Sequence, residues 1–240
     1  MSCTAFNPGS VEFLKCDLIS TGRVLDIREY VVRFELYESI LASGSICEIT
    51  LADSTGIFSS FGNDTVDFAF TTHPDAPPVA YKMRIVKTGP GRAVTNERAV
   101  LYKITCVSEE TYKSMTIKNL PLVRSKDVLV EEAIVAMLND VLETEKDISI
   151  EPSSGLHSVS SAGKTPFEFI NDMRKIAVSK EHKASAYVFY ENKDGYTFKS
   201  LEQLVKDSKT SIGDRVYFNH NVANLVVTGS NWRTIIGSKQ

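Results

Sequence analysis

"CEITLAD", residues 47–53, alternates apolar and polar side chains. Cys47, Ile49 and Leu51 occupy every second position, with a polar residue between each pair. Successive side chains of a β-strand point to opposite faces, so this spacing places the three apolar residues on one face of a pleated ribbon. The stretch therefore predicts a half-buried strand.

The same alternation predicts five more strands within the N-terminal half of the chain. Turn signals separate several of them, at residues 42–44, 62–64 and 89–91. Six strands with one apolar face each favour a small antiparallel β-barrel, because closure removes exposed edges. We expect one short helical turn within residues 53–61. The apolar positions of the five further strands are Leu14, Cys16 and Leu18; Val32, Phe34 and Leu36; Val66, Phe68 and Phe70; Tyr81, Met83 and Ile85; Val100, Tyr102, Ile104 and Cys106.

Two amphipathic helices are expected after the strands. The first lies near 126–143, with Ser125 as its N-cap and an apolar face at Val130, Ile134, Met137, Leu138 and Val141. The second lies near 166–178, because Thr165-Pro166-Phe167-Glu168 has the residues of a capping box with proline at the first position. The polar, Ser- and Gly-rich residues 147–164 are expected to connect them.

An aromatic β-hairpin is predicted at residues 186–200. "YVFYENKDGYTF", residues 187–198, has two aromatic runs on either side of a turn at 191–195, and Gly195 supplies the positive φ that such turns require. The hairpin either packs within its own chain, which is favoured, or also contacts a neighbouring subunit. Tyr190 and Tyr196 flank the turn and are the candidate interface residues, expected to be exposed in the second case. A short helix near Leu201–Val205 and strand pieces at 215–218 and 223–227 are expected to begin a second sheet.

The predicted fold class is therefore α+β. It consists of a β-barrel domain at residues 1–115 and an α+β region at residues 116–240.

The composition of the chain limits the kinds of molecule that it is expected to bind. The chain has 240 residues, a net charge of −3 and a pI near 5.9, so no general basic field attracts nucleic acid or an anionic membrane. No stretch of about 18 apolar residues occurs, and we expect no membrane partner. The four cysteines contain no C-x-x-C pair, and buried free thiols are favoured over disulfides or reactive nucleophiles.

No catalytic, cofactor or metal motif is predicted. Gly163-Lys164-Thr165 lacks the earlier glycine of a phosphate-binding loop, and Asn192 and Asp194 lack the other ligands of a calcium loop. The four histidines are far apart, and Gly44-Ser45 lies in no nucleophile motif. We therefore expect a protein that is not an enzyme and has no cofactor.

Two alternative functions stay open at this point. Tyr81-Lys82-Met83-Arg84 and Tyr102-Lys103 interleave aromatic and basic residues, as an OB-like barrel for single-stranded nucleic acid would. A cell-wall glycan hydrolase would need two carboxylates at a fixed separation in a groove, which a sequence does not reveal.

The order of elements resembles the central baseplate hub proteins of contractile-tailed bacteriophages. "LYESILASGS", "CEITLAD", "STGIFSSF" and "DTVDFAFTTH" are followed by "SKDVLVEEAIVAML", "KTPFEFINDMRKIAV" and "SAYVFYENKDGYTFKSLEQL". The last segment is the most distinctive, with Thr165–Phe167 opening a helix before the aromatic strands and Ser200–Leu204 after them. The resemblance covers roughly residues 10–205.

The resemblance implies a structural role in the virion, in the tail baseplate, after assembly in the host cytoplasm. A hub subunit of this kind forms a homotrimeric ring that joins the tail tube, or tube-initiator proteins, to a central spike protein. Such subunits carry two similar small barrels. We expect the second barrel to be abbreviated here or supplied by another chain, or this chain to be incomplete, because few residues follow Lys206.

Overall fold

The computed structural model describes most of the residues of the chain. They form two compact units, Met1–Lys199 and Ser200–Gln240. The first unit contains the predicted barrel region and most of the predicted α+β region, so the boundary at residue 115 stays a prediction. The described residues are 11–20, 22–54, 56–58, 64–72, 77–89, 92–93, 100–118, 120, 124–211, 217–220 and 232–235.

An eight-stranded antiparallel sheet forms the N-terminal part of the first unit. Its hydrogen-bonded order is β2-β1-β5-β6-β8-β4-β3, and β7 pairs with β8. A 3-10 helix at Arg28–Tyr30 joins β2 to β3. The strands are β1 Glu12–Ser20, β2 Arg23–Asp26, β3 Val31–Tyr37, β4 Ile46–Asp53, β5 Thr65–Thr71, β6 Val79–Thr88, β7 Arg92–Ala93 and β8 Val100–Ser108.

One face of this sheet carries the first hydrophobic core. Cys47, Ile49 and Leu51 are fully buried, which confirms the alternation that predicted β4. The predicted apolar faces of β5 and β6 are buried too. Three cysteines, Cys16, Cys47 and Cys106, are buried free thiols, as expected, whereas Cys3 lies outside the described residues.

Two residues that the alternation places in the core are exposed instead. Leu14 is 49% exposed and Val32 is 63% exposed. The register shifts between Phe13 and Lys15 in β1 and between Val31 and Arg33 in β3. An extra residue at a bulge moves the following side chains to the opposite face, so the simple alternation was wrong at these two positions.

The sheet is curled, but within the described residues its two end strands, β2 and β3, are not hydrogen-bonded to each other. The Phe13 ring on β1 and the Phe34 ring on β3 meet edge to face with centroids 5.1 Å apart, so the two sides of the sheet share one core. Within the described residues, however, β3 is hydrogen-bonded to β4 alone. The structure is therefore a curled half-barrel, and full closure is not confirmed.

Three helices and two small sheets follow within the first unit. β10 pairs parallel with β13, β13 lies beside β12, and β9 pairs antiparallel with β11. A second hydrophobic core lies between these elements. The elements are α1 Glu109–Thr116, β9 Arg124–Val128, α2 Val130–Ala136 with a π-helical turn at Met137–Val141, β10 Ile148–Ile150, β11 His157–Ser160, α3 Pro166–Ile176, β12 Tyr187–Asn192 and β13 Gly195–Ser200.

The first predicted helix begins later than expected. Ser125 lies in β9 rather than at an N-cap, and Leu129 occupies the N-cap position of α2. The predicted connector at 147–164 contains β10 and β11. Short strands of this kind form because a distant partner, β13 or β9, supplies their hydrogen bonds, which local sequence does not show.

The second predicted helix is confirmed. The Thr165 hydroxyl accepts a hydrogen bond from the Glu168 backbone N–H, and the Glu168 carboxylate accepts one from the Thr165 N–H, which completes the capping box. The buried residues of α3 are Pro166, Phe169, Ile170 and Met173.

The described residues of the second unit form one helix and a two-stranded sheet. α4 spans Leu201–Ser211, and β14 Tyr217–His220 pairs antiparallel with β15 Trp232–Ile235. The predicted strand piece at 223–227 lies outside the described residues, as do residues 62 and 63 of the turn at 62–64 and residues 55 and 59–61 of the expected helical turn at 53–61. None of the described residues 53, 54 and 56–58 is helical. Within the described part of the chain, no helix combines the length and the apolar character needed to cross a bilayer.

Candidate functional site: an anchored apolar loop

The connection between β3 and β4 exposes four large apolar side chains. They are Tyr37, Ile40, Leu41 and Ile46, exposed by 50%, 48%, 78% and 40%, and we call them the apolar loop. Tyr37 and Ile46 face each other in the β3–β4 register, so the four residues belong to one hairpin end. Large apolar side chains gathered on a surface mark a site of interaction with another molecule.

Local hydrogen bonds shape the tip of the apolar loop. The Ser39 carbonyl accepts from the Ala42 N–H at 3.0 Å, and the Ser39 hydroxyl accepts from the Leu41 N–H at 3.2 Å. The Glu38 carboxylate accepts a hydrogen bond from the Tyr81 hydroxyl on β6. These bonds hold Leu41 at the outermost point of the turn.

The far side of the loop rests on two helices. The Asn171 side chain on α3 donates a 3.1 Å hydrogen bond to the Ser43 hydroxyl. Gly44 lies so close to α1 that an added Cβ would stand 1.9 Å from Thr111 Oγ1. Glycine is therefore needed here for close approach, and this approach fixes the loop against α1.

Glu191 anchors the base of the apolar loop from beneath. Its carboxylate accepts hydrogen bonds from the Ser45 N–H at 2.8 Å and from the Ser108 hydroxyl at 2.7 Å, and it binds Lys146 Nζ at 2.6 Å. The residue is 1% exposed and lies in β12. Sequence reasoning placed it in the surface turn, which was wrong, since only the tertiary structure brings its three partners to it.

Lys146 joins two buried carboxylates. Its Nζ lies 2.5 Å from Glu110 and 2.6 Å from Glu191, and Thr144 donates a further hydrogen bond to Glu110. Burial opposes the charge of Glu110, but attraction to Lys146 and the hydrogen bonds from Lys146 and Thr144 hold the pKa of Glu110 below its ordinary value. Burial likewise opposes the charge of Lys146, but the two carboxylates raise the pKa of Lys146. Lys146 and Glu110 therefore each favour the charged form of the other.

The aromatic strands pack inward above this ion cluster. Tyr196 is 1% exposed and stacks on Phe189 with ring centroids 5.5 Å apart. Lys146 Nζ lies 5.6 Å from the centroid of the Tyr196 ring. The expected exposure of Tyr196 was therefore wrong, because its ring fills the second core. Tyr190 is half-buried, and its role at an interface stays a prediction.

Two of the three basic residues of the nucleic-acid hypothesis, Arg84 and Lys103, are held by carboxylates, whereas Lys82 is exposed. Arg84 makes two hydrogen bonds to Glu109, at 3.0 and 2.8 Å, and Lys103 binds Glu48 at 2.7 Å. Met83 lies fully in the core. These cations are already neutralised within the chain, which does not favour phosphate binding there.

Groups for catalysis or metal binding do not converge in the described residues. The carboxylates of Glu110 and Glu191 are close together, but they are buried on one lysine rather than placed in a groove. Burial raises the pKa of the Cys16 thiol and of the Cys106 thiol to about 12. No group of three or more metal-ligating side chains occurs in the part of the chain that is described.

Neither a protein-family model nor a curated protein matches this sequence. Solved structures do match. The 43 kDa tail protein of prophage MuSo2 from Shewanella oneidensis has a TM-score of 0.52 at 8% identity, with 79% of this chain covered. The fold is similar to that of a phage tail protein. The resemblance indicated by the order of elements is thereby confirmed at the level of the fold.

Two further matches have TM-scores below 0.5. A component of the E. coli type VI secretion system, described as similar to bacteriophage T4 tail proteins, has a TM-score of 0.49 at 12% identity and covers 79% of this chain. A tail protein from Neisseria meningitidis has a TM-score of 0.47 at 9% identity and covers 77%. This chain spans about half the length of these structures, namely 53%, 48% and 49% of the Shewanella, E. coli and Neisseria chains.

Proposed function

We propose that the chain is a non-enzymatic structural subunit of a phage tail baseplate. In this role it is a hub subunit that forms a trimeric ring between the tail tube and the central spike of the virion. The anchored apolar loop carries the proposal, because a rigid, exposed apolar surface serves to bind another protein chain. The fold similarity to a prophage tail protein supports the same setting.

The open side of the half-barrel supports self-association. β3 has a free hydrogen-bonding edge within the described sheet, next to the apolar loop. An uncovered strand edge is stabilised when a neighbouring chain pairs with it, and closed symmetry limits the growth of such an assembly. In the proposed ring, the apolar loop and β3 of one copy contact the next copy.

The loop is prepared for binding before a partner arrives. Bonds from Asn171, Glu191 and Ser108 to its base reduce the freedom that association would otherwise remove. Such preorganisation lowers the entropic cost of docking. Leu41, which is 78% exposed, is the residue expected to lose the most water on assembly.

Native mass spectrometry and light scattering test the proposal. We expect a trimer for the wild-type chain and for Leu156→Lys, a control in which a residue of 60% exposure outside the loop is changed. Leu41→Lys should be monomeric yet fold normally. A wild-type chain that stays monomeric and binds neither tube nor spike proteins contradicts the proposal, as does a trimer that Leu41→Lys leaves intact.

A further inference from the structure

An apolar cavity of about 480 Å³ lies beside α2. We call it the α2 groove. One wall is the helix and its π-helical turn, and the other is the ladder of β9 and β11. Its main apolar lining residues are Leu120, Val128, Ala133, Met137, Val159 and Phe169.

The helix wall is shaped to leave this space open. Ala133 and Ala136 place only methyl groups toward the groove. Just after them the helix widens to a π turn, in which the Leu142 N–H donates to the Met137 carbonyl at 3.1 Å. π-helical turns disturb regular packing and occur frequently at functional sites. The small side chains and the π turn of the helix therefore form one side of the groove.

Two acidic side chains stand at the rim of the α2 groove. Glu132 and Asp140 are exposed and line the cavity. Their separation of eight helical residues corresponds to about 12 Å along the axis. In the described part of the chain neither carboxylate makes an ion pair or a side-chain hydrogen bond, whereas the adjacent Glu131 bonds to Ser153.

We propose that the α2 groove binds an extended segment of a different protein that places one large apolar side chain in the cavity between two basic residues. The apolar lining selects the central side chain, and the two rim carboxylates select Lys or Arg on either side of it. An extended chain rises about 3.3 Å per residue, so the basic residues stand two positions before and two positions after the apolar one. This surface is separate from the apolar loop, and its partner does not depend on the proposed ring.

Methyl NMR with a panel of peptides tests the inference. The probes are capped nonapeptides of sequence Gly-Ser-Lys-Ser-Φ-Ser-Lys-Ser-Gly, where Φ is Leu, Met or Phe, and matched peptides with Glu in place of Lys. We expect the Lys peptides to shift the Met137 methyl resonance in a saturable way and the Glu peptides to leave it unchanged. Removing both rim charges, Glu132→Gln with Asp140→Asn, should weaken binding about tenfold, since each exposed ion pair contributes up to about 1 kcal/mol.

Two further variants separate the groove from general charge effects. Ala136→Phe should fill the cavity and abolish binding, and Glu145→Gln removes an exposed acidic charge outside the lining residues and should change nothing. The inference is overturned if no Lys peptide moves the Met137 methyl, if the Glu peptides bind equally well, or if the doubly neutralised protein binds as the wild type does. It is also overturned if the Met137 resonance of Leu41→Lys, in which the proposed ring contact is removed, shifts with protein concentration alone, because the occupant would then be a second copy of this chain.

Discussion

The Glu191 carboxylate accepts a 2.8 Å hydrogen bond from the Ser45 backbone N–H, although 146 residues separate the two in sequence. This bond connects the base of the apolar loop to the aromatic strand β12. The same carboxylate binds Lys146, so a buried ion cluster determines the position of an exposed surface. Stability and assembly are therefore linked through one side chain.

Removing the Glu191 carboxylate should destabilise the first unit strongly. Glu191→Ala leaves the Ser45 N–H without its buried acceptor and removes one hydrogen-bond partner from the Ser108 hydroxyl and one of the two carboxylates from Lys146. A buried donor left without a partner costs about 1–3 kcal/mol. Glu191→Gln should cost less, because the amide oxygen still accepts a hydrogen bond. Urea unfolding measures both. Glu143→Gln, which alters an exposed pair with Lys113, is the control and should change little; equal midpoints for Glu191→Ala and the control would argue against the anchoring role.

The ion cluster predicts a defined pH window of stability. The pKa of Glu110 is lowered from 4.5, so its contribution is present above that value and is lost as the pH falls through the lower folded pKa. The pKa of Lys146 is raised from 10.5, so its contribution is present below that value and is lost as the pH rises through the higher folded pKa. We therefore expect this contribution to be constant between about pH 5 and pH 10.

The variant Lys146→Met tests how the ion cluster contributes to stability on the acid side of this pH range. Without the ammonium group, the Glu110 carboxylate loses the attraction that lowers its pKa, so it binds a proton more readily. The difference in unfolding free energy between wild type and variant should be large at neutral pH and should shrink toward pH 4. A difference that stays constant over this range means that the carboxylates do not depend on Lys146.

Gly44→Ala tests the close approach of the apolar loop to α1. The new Cβ would stand 1.9 Å from Thr111 Oγ1, and overpacking of this kind costs about 1–3 kcal/mol. Thr111→Ala removes the clashing oxygen, so the double variant should recover part of the loss beyond the sum of the single changes. Thermal unfolding of the wild type, the two single variants and the double variant completes a double-mutant cycle. Additive losses would show that the two residues are not in contact.

The three buried thiols should be protected from alkylation. Burial raises the pKa of the Cys16 and Cys106 thiols to about 12, and the pKa of Cys47 is raised as well, so very little thiolate forms at neutral pH. In Cys3→Ser, which removes the fourth thiol, we expect reaction with iodoacetamide only after unfolding in urea. Fast labelling of the native variant at any of the three positions would contradict their place in the core.

Local sequence patterns were sufficient to predict the elements that pack one apolar face against a hydrophobic core. The alternation around Ile49 predicted β4, and the capping residues Thr165 and Glu168 predicted the start of α3, because each depends on residues a few positions away. The α+β class and the likeness to phage tail proteins followed from the order of such elements. The prediction that the strand cysteines Cys16, Cys47 and Cys106 are buried free thiols was correct for the same reason.

Tertiary structure alone decided the features that carry the proposals. The bulges in β1 and β3 turned Leu14 and Val32 outward, and pairing with distant strands created β10 and β11. Tyr196 and Glu191 look like surface residues of a turn, yet one fills a core and the other anchors a loop 146 residues away. The physical reason is that periodicity reports which face of an element is apolar, whereas the partner of a buried charge is set by contacts between residues far apart in the chain.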